Sequence, residues 1–465
     1  MARLWESGKR SQSDTTGCDD SAASNTERIV AEYTAALDAL LDNHLIREDL
    51  ITNAAHVRML AACGYLEEKD CRAILDELMR IHGAWQNGNF AVAPDDEDVH
   101  TKIENEVTNA IGEPGRRMHT GRSRNDQVLT DIRLFIRRRL AALAQDSARL
   151  AADFLAFAGR HTAVAMPGYT HMQRAMPSSP ALWAGAYAEA LLDDAGQLLA
   201  QYAQADLSPL GSGAGYGVTL RIDRELSARL MGFSRVQHNS MYCQNSRGKI
   251  EGMALAAVSN LMMTLGRFAS DMLLFTTSEY AFFTVDDSLT TGSSIMPQKK
   301  NLDIMELLRA RVHTVQSAEQ LVKAIPPGLP SGYSRDLQEM KKPLIEAFSI
   351  AESSLHIVSL LLGGIRVNAE RMAAALSPEI YATDEVFKRV ESGIPFRDAY
   401  REVKNALTEV RAPDGGILPD GKATIGTPAN PGLPAMQARL SELETRARSA
   451  AAREDGLFQA LVQGK

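Results

Sequence analysis

The run TGSSIMPQKKN, which begins at residue 291, gathers hydroxyl, ammonium and amide groups within eleven residues. Gly292 gives the run backbone freedom, and Ser293 and Ser294 supply two hydroxyl groups. Lys299 and Asn301 add a cation and an amide, which are donors suited to a carboxylate. The composition therefore indicates a mobile loop that handles a small acid.

Asn301 is also a typical N-cap for the segment LDIMELLRAR that follows it, with Asp303 in the first helical turn. A surface loop that ends in this capped helix would explain the asparagine. It would not explain the paired serines and lysines that precede it.

The segment HTGRSRNDQ places Arg122, Ser123, Arg124 and Asn125 at the predicted start of a helix. Helix N-termini attract anions, and the planar fork of an arginine matches a carboxylate. A solvated charged loop explains this segment equally well when the segment is taken alone.

Two further loops carry polar groups. PGYTHMQRAMP holds Thr170 and His171 between prolines that stiffen the loop, and GYSRDLQEMKK holds Tyr333, Gln338 and Lys341. A structural histidine and a solvated helix face are the alternatives for these two segments.

Two other segments resemble binding motifs. GSGAGYG at 211–217 is similar to a phosphate-binding glycine loop, but we predict no strand before it. DDEDVH at 95–100 has no second histidine at ligand spacing, so we predict no metal site there.

The elements that must position these loops are helices. Apolar residues recur every three or four positions over 251–280, and Ser179 followed by Pro180 predicts the start of another long helix. Further helical patterns cover about 128–158, 302–324 and 342–363, whereas alternating strands are nearly absent. We predict an all-α protein built around an elongated bundle of long helices.

The chain has 465 residues, 45% of them hydrophobic, and a formal net charge of −8. No basic stripe with interleaved aromatic residues argues for nucleic acid, and no apolar run reaches membrane-spanning length. The four cysteines show neither C-x-x-C spacing nor a disulfide framework. We expect a cytoplasmic protein with neither a nucleic-acid nor a membrane partner.

Turn-rich breaks in the helical pattern predict four segments. They are a flexible N-terminal arm over 1–25, an N-terminal helical domain over 26–121, a central bundle over 122–366 and a small C-terminal helical domain over 367–465. Helices such as GMALAAVSNLMMTLGRF are apolar on most faces, so we expect several bundles to pack together in a symmetric oligomer. Cover by the flanking regions is the alternative.

Taken together, GSSIMPQKKN, HTGRSRNDQV, GYTHMQRAMP, SPLGSGAGYG and YSRDLQ resemble the argininosuccinate lyase branch of the fumarase/aspartase superfamily over about residues 26–400. The resemblance implies three helical domains and a homotetramer with a twenty-helix core. It also implies active sites shared between subunits and neither a cofactor nor a metal. The implied reaction is elimination of fumarate from an N-substituted aspartate, as in arginine biosynthesis.

The resemblance also implies roles for individual residues. Ser293 would be the base, Lys299 would stabilise the charge that develops, His171 would act near the leaving group, and Glu306 would be its charge partner. The implied substrate-binding residues are Arg124, Asn125, Thr170, Ser294, Met296, Asn301, Tyr333, Gln338 and Lys341.

The chain departs from that family at several positions. Ala36 replaces a family serine, and three acidic positions of a DAVSDRD segment become Tyr242, Ser246 and Gly248. The family segment QEDKE reads QEMKK here, so acids are lost and lysines gained. Either these changes are neutral, or they disfavour a guanidinium and suit a distal group with carboxylates.

The residues are compatible with two substrates and with one role of a different class. The amine half of the substrate is either arginine, as in argininosuccinate, or another amine, as in ethylenediamine-N,N'-disuccinate. A catalytically silent, crystallin-like homotetramer is the alternative of a different class; loss of the serine loop or of His171 would favour it, and both are intact.

Overall fold

The computed structural model describes residues 25–26, 29–30, 32–93, 96–413 and 424–463. The expected N-terminal arm at 1–25 lies outside them, except for Asn25. Helices dominate the described ranges, as predicted. They are α1 Leu37–Leu41, α2 Ile46–Ala62, α3 Glu68–Gln86, α4 Val99–Ile111, α5 Glu113–Arg116, α6 Arg124–Arg160, α7 Pro180–Ala205, α8 Arg224–Leu230, α9 Ser240–Asn245, α10 Lys249–Phe275, α11 Asp303–Ala324, α12 Lys341–Gly363, α13 Ala369–Ala374, α14 Ala382–Glu391, α15 Phe396–Asn405, α16 Leu433–Asp455 and α17 Leu457–Gln463.

The strands of the described ranges pair in four short sheets. Antiparallel pairs join β1 with β2, β5 with β8 and β6 with β7, while β3 and β4 are parallel. Their bounds are β1 Met166–Thr170, β2 Gln173–Ser178, β3 Leu207–Ser208, β4 Arg235–Val236, β5 Phe283–Val285, β6 Thr291–Gly292, β7 Lys300–Asn301 and β8 Ile365–Val367.

The caps of two long helices follow the sequence prediction. Ser123 caps α6, and its capping box with Asp126 provides hydrogen-bond acceptors for backbone amides at the start of the helix. Ser179 accepts a hydrogen bond from the amide of Leu182, and Pro180 occupies the first position of α7, where no amide is needed. Local chemistry therefore fixes where these helices begin.

Asn301 does not cap α11, so that prediction was wrong. Asn301 belongs to β7 and pairs with Thr291, while Leu302 is the residue before the helix. The hydroxyl of Thr291 donates to the carboxylate of Asp303 in the first turn. Because Asn301 is held in the pairing of β6 with β7, Leu302 and not Asn301 occupies the position before the first helical residue.

The long helices α6, α7, α10, α11 and α12 form the bundle. The indole N–H of Trp183 donates to Asp271 at 2.9 Å. The hydroxyl of Thr264 donates to Asp194 at 2.7 Å, so α7 and α10 run antiparallel.

The remaining directions follow from similar contacts. A Cβ on Gly266 would lie 2.6 Å from Val312, and one on Gly252 would lie 2.8 Å from Lys323, so α10 and α11 are antiparallel. The ring centroids of Phe157 and Trp183 lie 6.2 Å apart. The end of α6 therefore lies beside the start of α7, and the two helices are antiparallel. Helices α6 and α12 run parallel: Phe135 lies 5.8 Å from Phe348, and Ser359 donates to Asp153 at 2.8 Å.

These directions give the bundle two ends. What we call the Ser293 end holds the end of α6, the start of α7, the end of α10, the start of α11 and the end of α12. What we call the Arg124 end holds the opposite termini. At about 1.5 Å per residue, the 22 residues of α11 span roughly 33 Å between the two ends.

Three hydrophobic clusters make up the core of the described ranges. One joins the five bundle helices with α16, and a second joins α2, α3 and α4 with α17. The third is a small cluster that includes Ile380, Val386 and Val403. The division into domains stays a prediction, because α16 and α17 bury their apolar faces against the first two clusters.

By length and composition alone, Arg335–Gly363 could cross a membrane, although half of its most apolar window is buried inside the fold. Its apolar side chains include Leu344, Phe348 and Leu355, which belong to the bundle core. A core helix explains the composition.

Candidate active site

The loop between β6 and β7 gives the Oγ of Ser293 two backbone hydrogen-bond donors, and among the described residues no such contact is given for Ser294. The backbone N–H groups of Ile295 and Met296 point at the Oγ of Ser293, at 3.4 and 3.1 Å. Hydrogen bonds to the charged form of a group favour that form, so these amides favour a Ser293 alkoxide. Lys299 lies in the same loop, exposed to solvent.

His171 lies at the tip of the β1–β2 hairpin. Its φ is 52° and that of Met172 is 61°, so both turn residues adopt the left-handed conformation that the tight hairpin requires. Thr170 precedes the turn, and all three residues are exposed. Tyr169 anchors the hairpin against Tyr280, with ring centroids 5.4 Å apart.

Glu306 lies exposed in the first turn of α11, next to the serine loop. The Ser293 end therefore carries one subset of the predicted site residues: Thr170, His171, Ser293, Ser294, Met296, Lys299, Asn301 and Glu306. Most of these side chains face solvent, so in a single chain this part of the site is open.

Arg124 occupies the first turn of α6 at the opposite end. Its guanidinium contacts Glu97 at 2.9 Å and Asp98 at 3.1 Å, and it donates to the hydroxyl of Thr101 at 2.7 Å. These acids already neutralise Arg124, which was predicted to hold a substrate carboxylate. Asn125 beside it is half-buried.

Lys341 is buried and fully paired. Its ammonium contacts Asp38 at 2.7 Å and Asp42 at 2.6 Å. Burial alone would lower the pKa of Lys341, but Asp42 and Asp38 raise it above its ordinary value. The amide of Gln338 donates to the backbone oxygen of Thr34 at 3.0 Å.

Tyr333 is exposed on the loop before this segment. Asp42 also accepts a hydrogen bond from the amide of Val99 at 3.0 Å, and the neighbouring Asp98 contacts Arg124. The structure therefore brings Arg124, Asn125, Tyr333, Gln338 and Lys341 to one end of the bundle.

The two subsets lie too far apart to act together in one chain. Ser293 precedes the start of α11, and Tyr333 follows its end, roughly 33 Å away along the helix. His171 follows α6, and Arg124 begins it, with 37 residues or roughly 55 Å between the helix ends. The predicted site residues therefore form two separate groups in a single chain.

The glycine loop at 211–217 binds a carboxylate of its own chain. The amides of Gly211 and Gly213 both donate to Asp126 at 2.9 Å. Strand β3 precedes the loop, so the expectation of no strand was wrong. The occupied amides nevertheless leave this loop without a phosphate-binding role.

A buried polar cluster beneath the start of α6 was missed by the sequence reasoning. His100 lies 2.7 Å from Asp49 and 3.6 Å from Asp131, and all three are buried. Burial lowers the pKa of His100, but Asp49 and the neighbouring acids raise it to about 10. Burial raises the pKa of Asp131 well above its ordinary value.

The ligand atoms of Asp49, His100 and Asp131 lie within 4.8 Å of one another, close enough to hold a metal. However, the Asp49–His100 contact of 2.7 Å is a direct hydrogen bond. Two ligands of one tetrahedral zinc would lie roughly 3.3 Å apart. An ion pair explains the cluster. The sequence signal was His100 itself, but its partners lie on other helices.

The positions where the chain departs from the resembled family are mostly interior. Ser246 is buried and accepts a hydrogen bond from Arg133 at 2.7 Å. A Cβ on Gly248 would lie 2.2 Å from Pro326 and 3.1 Å from the buried Met340. These positions do not form an open acid-poor pocket in the chain. Tyr242, which belongs to the same family segment as Ser246 and Gly248, is exposed. Lys342, the lysine gained in QEMKK, is also exposed, and its ammonium lies 3.8 Å from Glu346. Ala36 lies in a described helix, but its side chain is outside the described part.

Comparison with known proteins agrees with this architecture. A family model described as Lyase matches residues 24–317. The argininosuccinate lyase of Thermotoga neapolitana is 41% identical over 374 residues, which cover 80% of this chain and 94% of the relative. That of Sorangium cellulosum is 41% identical over 415 residues, covering 89% and 96%.

Two solved structures share the fold. An EDDS lyase in complex with formate superposes with a TM-score of 0.72 at 23% identity, covering 91% of this chain and 90% of that one. A class II fumarase from Schistosoma mansoni superposes with a TM-score of 0.67 at 14% identity, covering 79% and 89%. By the extent of the family match and of the two sequence relatives, this chain belongs to the lyase family of the fumarase/aspartase superfamily.

Proposed function

We propose that this protein is a carbon–nitrogen lyase that eliminates fumarate from an N-substituted L-aspartate. The relatives at 41% identity are named argininosuccinate lyases, and the match covers most of both chains. The observation that carries the chemistry is the pair of amides aimed at the Oγ of Ser293, because a serine acts as a base only when its alkoxide is stabilised.

In the proposed reaction, Ser293 removes the proton on the carbon next to a carboxylate. The electrons of that C–H bond move onto the carboxylate, which becomes a doubly negative aci-carboxylate. Lys299 and Asn301 stabilise this charge where it develops, and each such donor contributes roughly 3–4 kcal/mol in a water-excluded site. Collapse of the intermediate breaks the carbon–nitrogen bond and leaves fumarate.

The amine must leave with a proton. We assign this step to His171, with Glu306 as its charge partner, acting on the leaving nitrogen directly or through a water. Thr170, Asn125, Arg124, Ser294 and Met296 then hold the succinyl half. Arg124 must exchange Glu97 or Asp98 for a substrate carboxylate to do so.

The proposed active unit is a homotetramer with sites shared between subunits. The Ser293 and Arg124 ends are separated in one chain, and only another copy supplies the missing end. Large apolar side chains are exposed on three bundle helices and would be covered by other copies: Met263, Leu307, Leu321 and Leu360. The proposed compartment is the cytoplasm.

The test is fumarate release, followed by the absorbance of its conjugated double bond, with purified protein and a panel of N-substituted L-aspartates. The panel includes argininosuccinate, the arginine-forming substrate, and ethylenediamine-N,N'-disuccinate. We expect fumarate from at least one compound and a rate lower by at least about 10²-fold after Ser293→Ala. A silent wild-type protein would instead support a structural, crystallin-like role.

A further inference from the structure

The guanidinium of Arg133, in α6, is buried against the junction between α9 and α10. Arg133 is 0% exposed, and its Nη2 donates to the hydroxyl oxygen of Ser246 at 2.7 Å. Its Nε and Nη1 are buried with no hydrogen-bond partner among the described residues. Because a charge is costly to bury without partners, this guanidinium requires a further ligand.

Three more polar side chains at the same junction are buried and incompletely paired. Arg247 is 4% exposed, and Gln244 and Glu251 are each 1% exposed. Arg247 donates to the backbone oxygen of Leu337 at 3.3 Å, but its Nε has no acceptor in the part of the chain that the structure describes. Within the same ranges, nitrogen donors without a partner (two on Arg133, one on Arg247 and one on Gln244) outnumber the oxygen acceptors (one on Gln244 and one on Glu251).

The charges of these buried side chains do not balance. Burial lowers the pKa of Arg133, Glu251 opposes that shift only in part, and Arg247 adds to it. Two guanidinium groups and one carboxylate leave one positive charge in excess. The carboxylate is also engaged elsewhere, because its Oε2 accepts from the amide of Gly248 at 2.7 Å. Water would satisfy the donors but would supply no negative charge.

The sequence departs from the resembled family at this same junction. The family segment carries acids at the positions of Ser246 and Gly248. The hydroxyl of Ser246 donates to the backbone oxygen of Cys243 at 2.7 Å and accepts from Arg133. An aspartate at position 246 would bring a carboxylate to this guanidinium. The shorter serine therefore removes a negative charge and the volume of a carboxylate together.

We propose that a small monovalent inorganic anion, such as chloride, binds between Arg133 and Arg247 and takes the place of that carboxylate. The side-chain amide of Gln244 supplies a further donor. Because Arg247 holds the backbone of Leu337, the anion stabilises the segment that carries Gln338. The inference does not depend on the proposed function.

The direct test is a crystal structure of the full chain from crystals grown in sodium bromide, with anomalous scattering measured at the bromine absorption edge. Bromide has the charge of chloride and nearly its size. We expect an anomalous peak in contact with the guanidinium groups of Arg133 and Arg247. No anomalous peak at this place overturns the inference, and density without an anomalous signal there identifies a water.

Thermal unfolding tests whether the anion contributes to the fold in solution. The melting temperature is measured while chloride replaces gluconate, an anion too large for a buried site, at constant ionic strength. We expect a saturable rise of at least about 2 °C, because a ligand that binds only the folded state stabilises it by mass action. Ser246→Asp should lose this response, because its carboxylate supplies the charge. Ser353→Asp adds the same charge at an exposed position of α12 and should keep the wild-type response.

A second variant covers the case in which Ser246→Asp does not fold. Arg133→Met removes the cation and should also abolish the response to chloride. An equal response in the wild type and in Arg133→Met overturns the inference. A bromide peak without any response to chloride marks an adventitious ion only and overturns it as well. Neither measurement uses enzymatic activity, so failure of the proposed function would leave both results unchanged.

Discussion

Ser293 and Ser294 are adjacent and chemically identical, so only their surroundings distinguish them. Two backbone amides converge on the Oγ of Ser293, whereas no described residue makes such a contact with Ser294. The sequence could predict that this loop carries the chemistry, because its residue types are unusual together. The direction of the amides depends on the turn that the β6–β7 hairpin imposes.

Ser293→Ala should fold normally and lower kcat by about 10²–10⁴-fold, the usual contribution of general acid–base catalysis, with little change in KM. Steady-state kinetics with the best substrate of the panel checks this. Ser294→Ala is the matched control. If Ser294→Ala loses the activity and Ser293→Ala keeps it, the assignment within the pair is wrong.

Lys299→Met should lower kcat by about 10²–10³-fold and also raise KM, because the ammonium attracts the carboxylate in both the ground and the transition state. Lys300→Met is the control, since Lys300 pairs with Asp287. Equal losses in the two variants would indicate a general effect of charge.

At the scale of elements, the sequence predicted the long helices well because their caps and apolar periodicity are local. Asn301 was misassigned because pairing of β6 with β7 overrides its preference for capping. The cluster around His100 could not be predicted from the sequence, because its partners lie on other helices. Asp49 is 51 positions before His100 and Asp131 is 31 positions after it. Contacts between distant positions are what local patterns cannot supply.

The His100 cluster makes stability depend on pH. The pKa of His100 rises from 6.5 to about 10 on folding, so its stabilising charge is fully present below pH 6.5 and is lost as the pH rises through 10. We expect the melting temperature to fall across this window and His100→Gln to flatten the fall. The exposed His238→Gln should leave the profile unchanged, and an unchanged profile in His100→Gln would rule out this source.

Helix α16 is fastened to α6 by a buried ion pair. Arg137 contacts Glu454 at 2.5 Å, and the hydroxyl of Tyr202 donates to the same carboxylate at 2.8 Å. Glu454→Gln should lower the free energy of unfolding by about 1.5–3 kcal/mol, because the buried guanidinium of Arg137 loses a charged hydrogen-bond partner and keeps only Asp206, at 3.3 Å, as a counter-charge. Denaturant unfolding measures this.

Glu442→Gln is the control on the same helix. Glu442 pairs with Arg446 at the surface, so its loss should cost at most about 1 kcal/mol. Similar losses in Glu442→Gln and Glu454→Gln would contradict the role of burial.

At the scale of the whole molecule, the fold separates residues that the motifs suggested would act together. The long helices were predicted from sequence, but their directions were not, and these directions place Ser293 and Asn125 at opposite ends. The proposed active site would therefore combine the two ends from neighbouring copies.

The most direct test combines two inactive variants, one from each end. Ser293→Ala and Asn125→Leu are co-expressed with different affinity tags, and oligomers that carry both tags are assayed for fumarate release. Doubly tagged wild-type oligomers serve as the reference. We predict that each variant alone is nearly inactive and that the mixed oligomers recover a clear fraction of the reference activity, since some sites receive both intact ends. Mixed oligomers as inactive as either parent, beside an active reference, would contradict a site assembled from different copies.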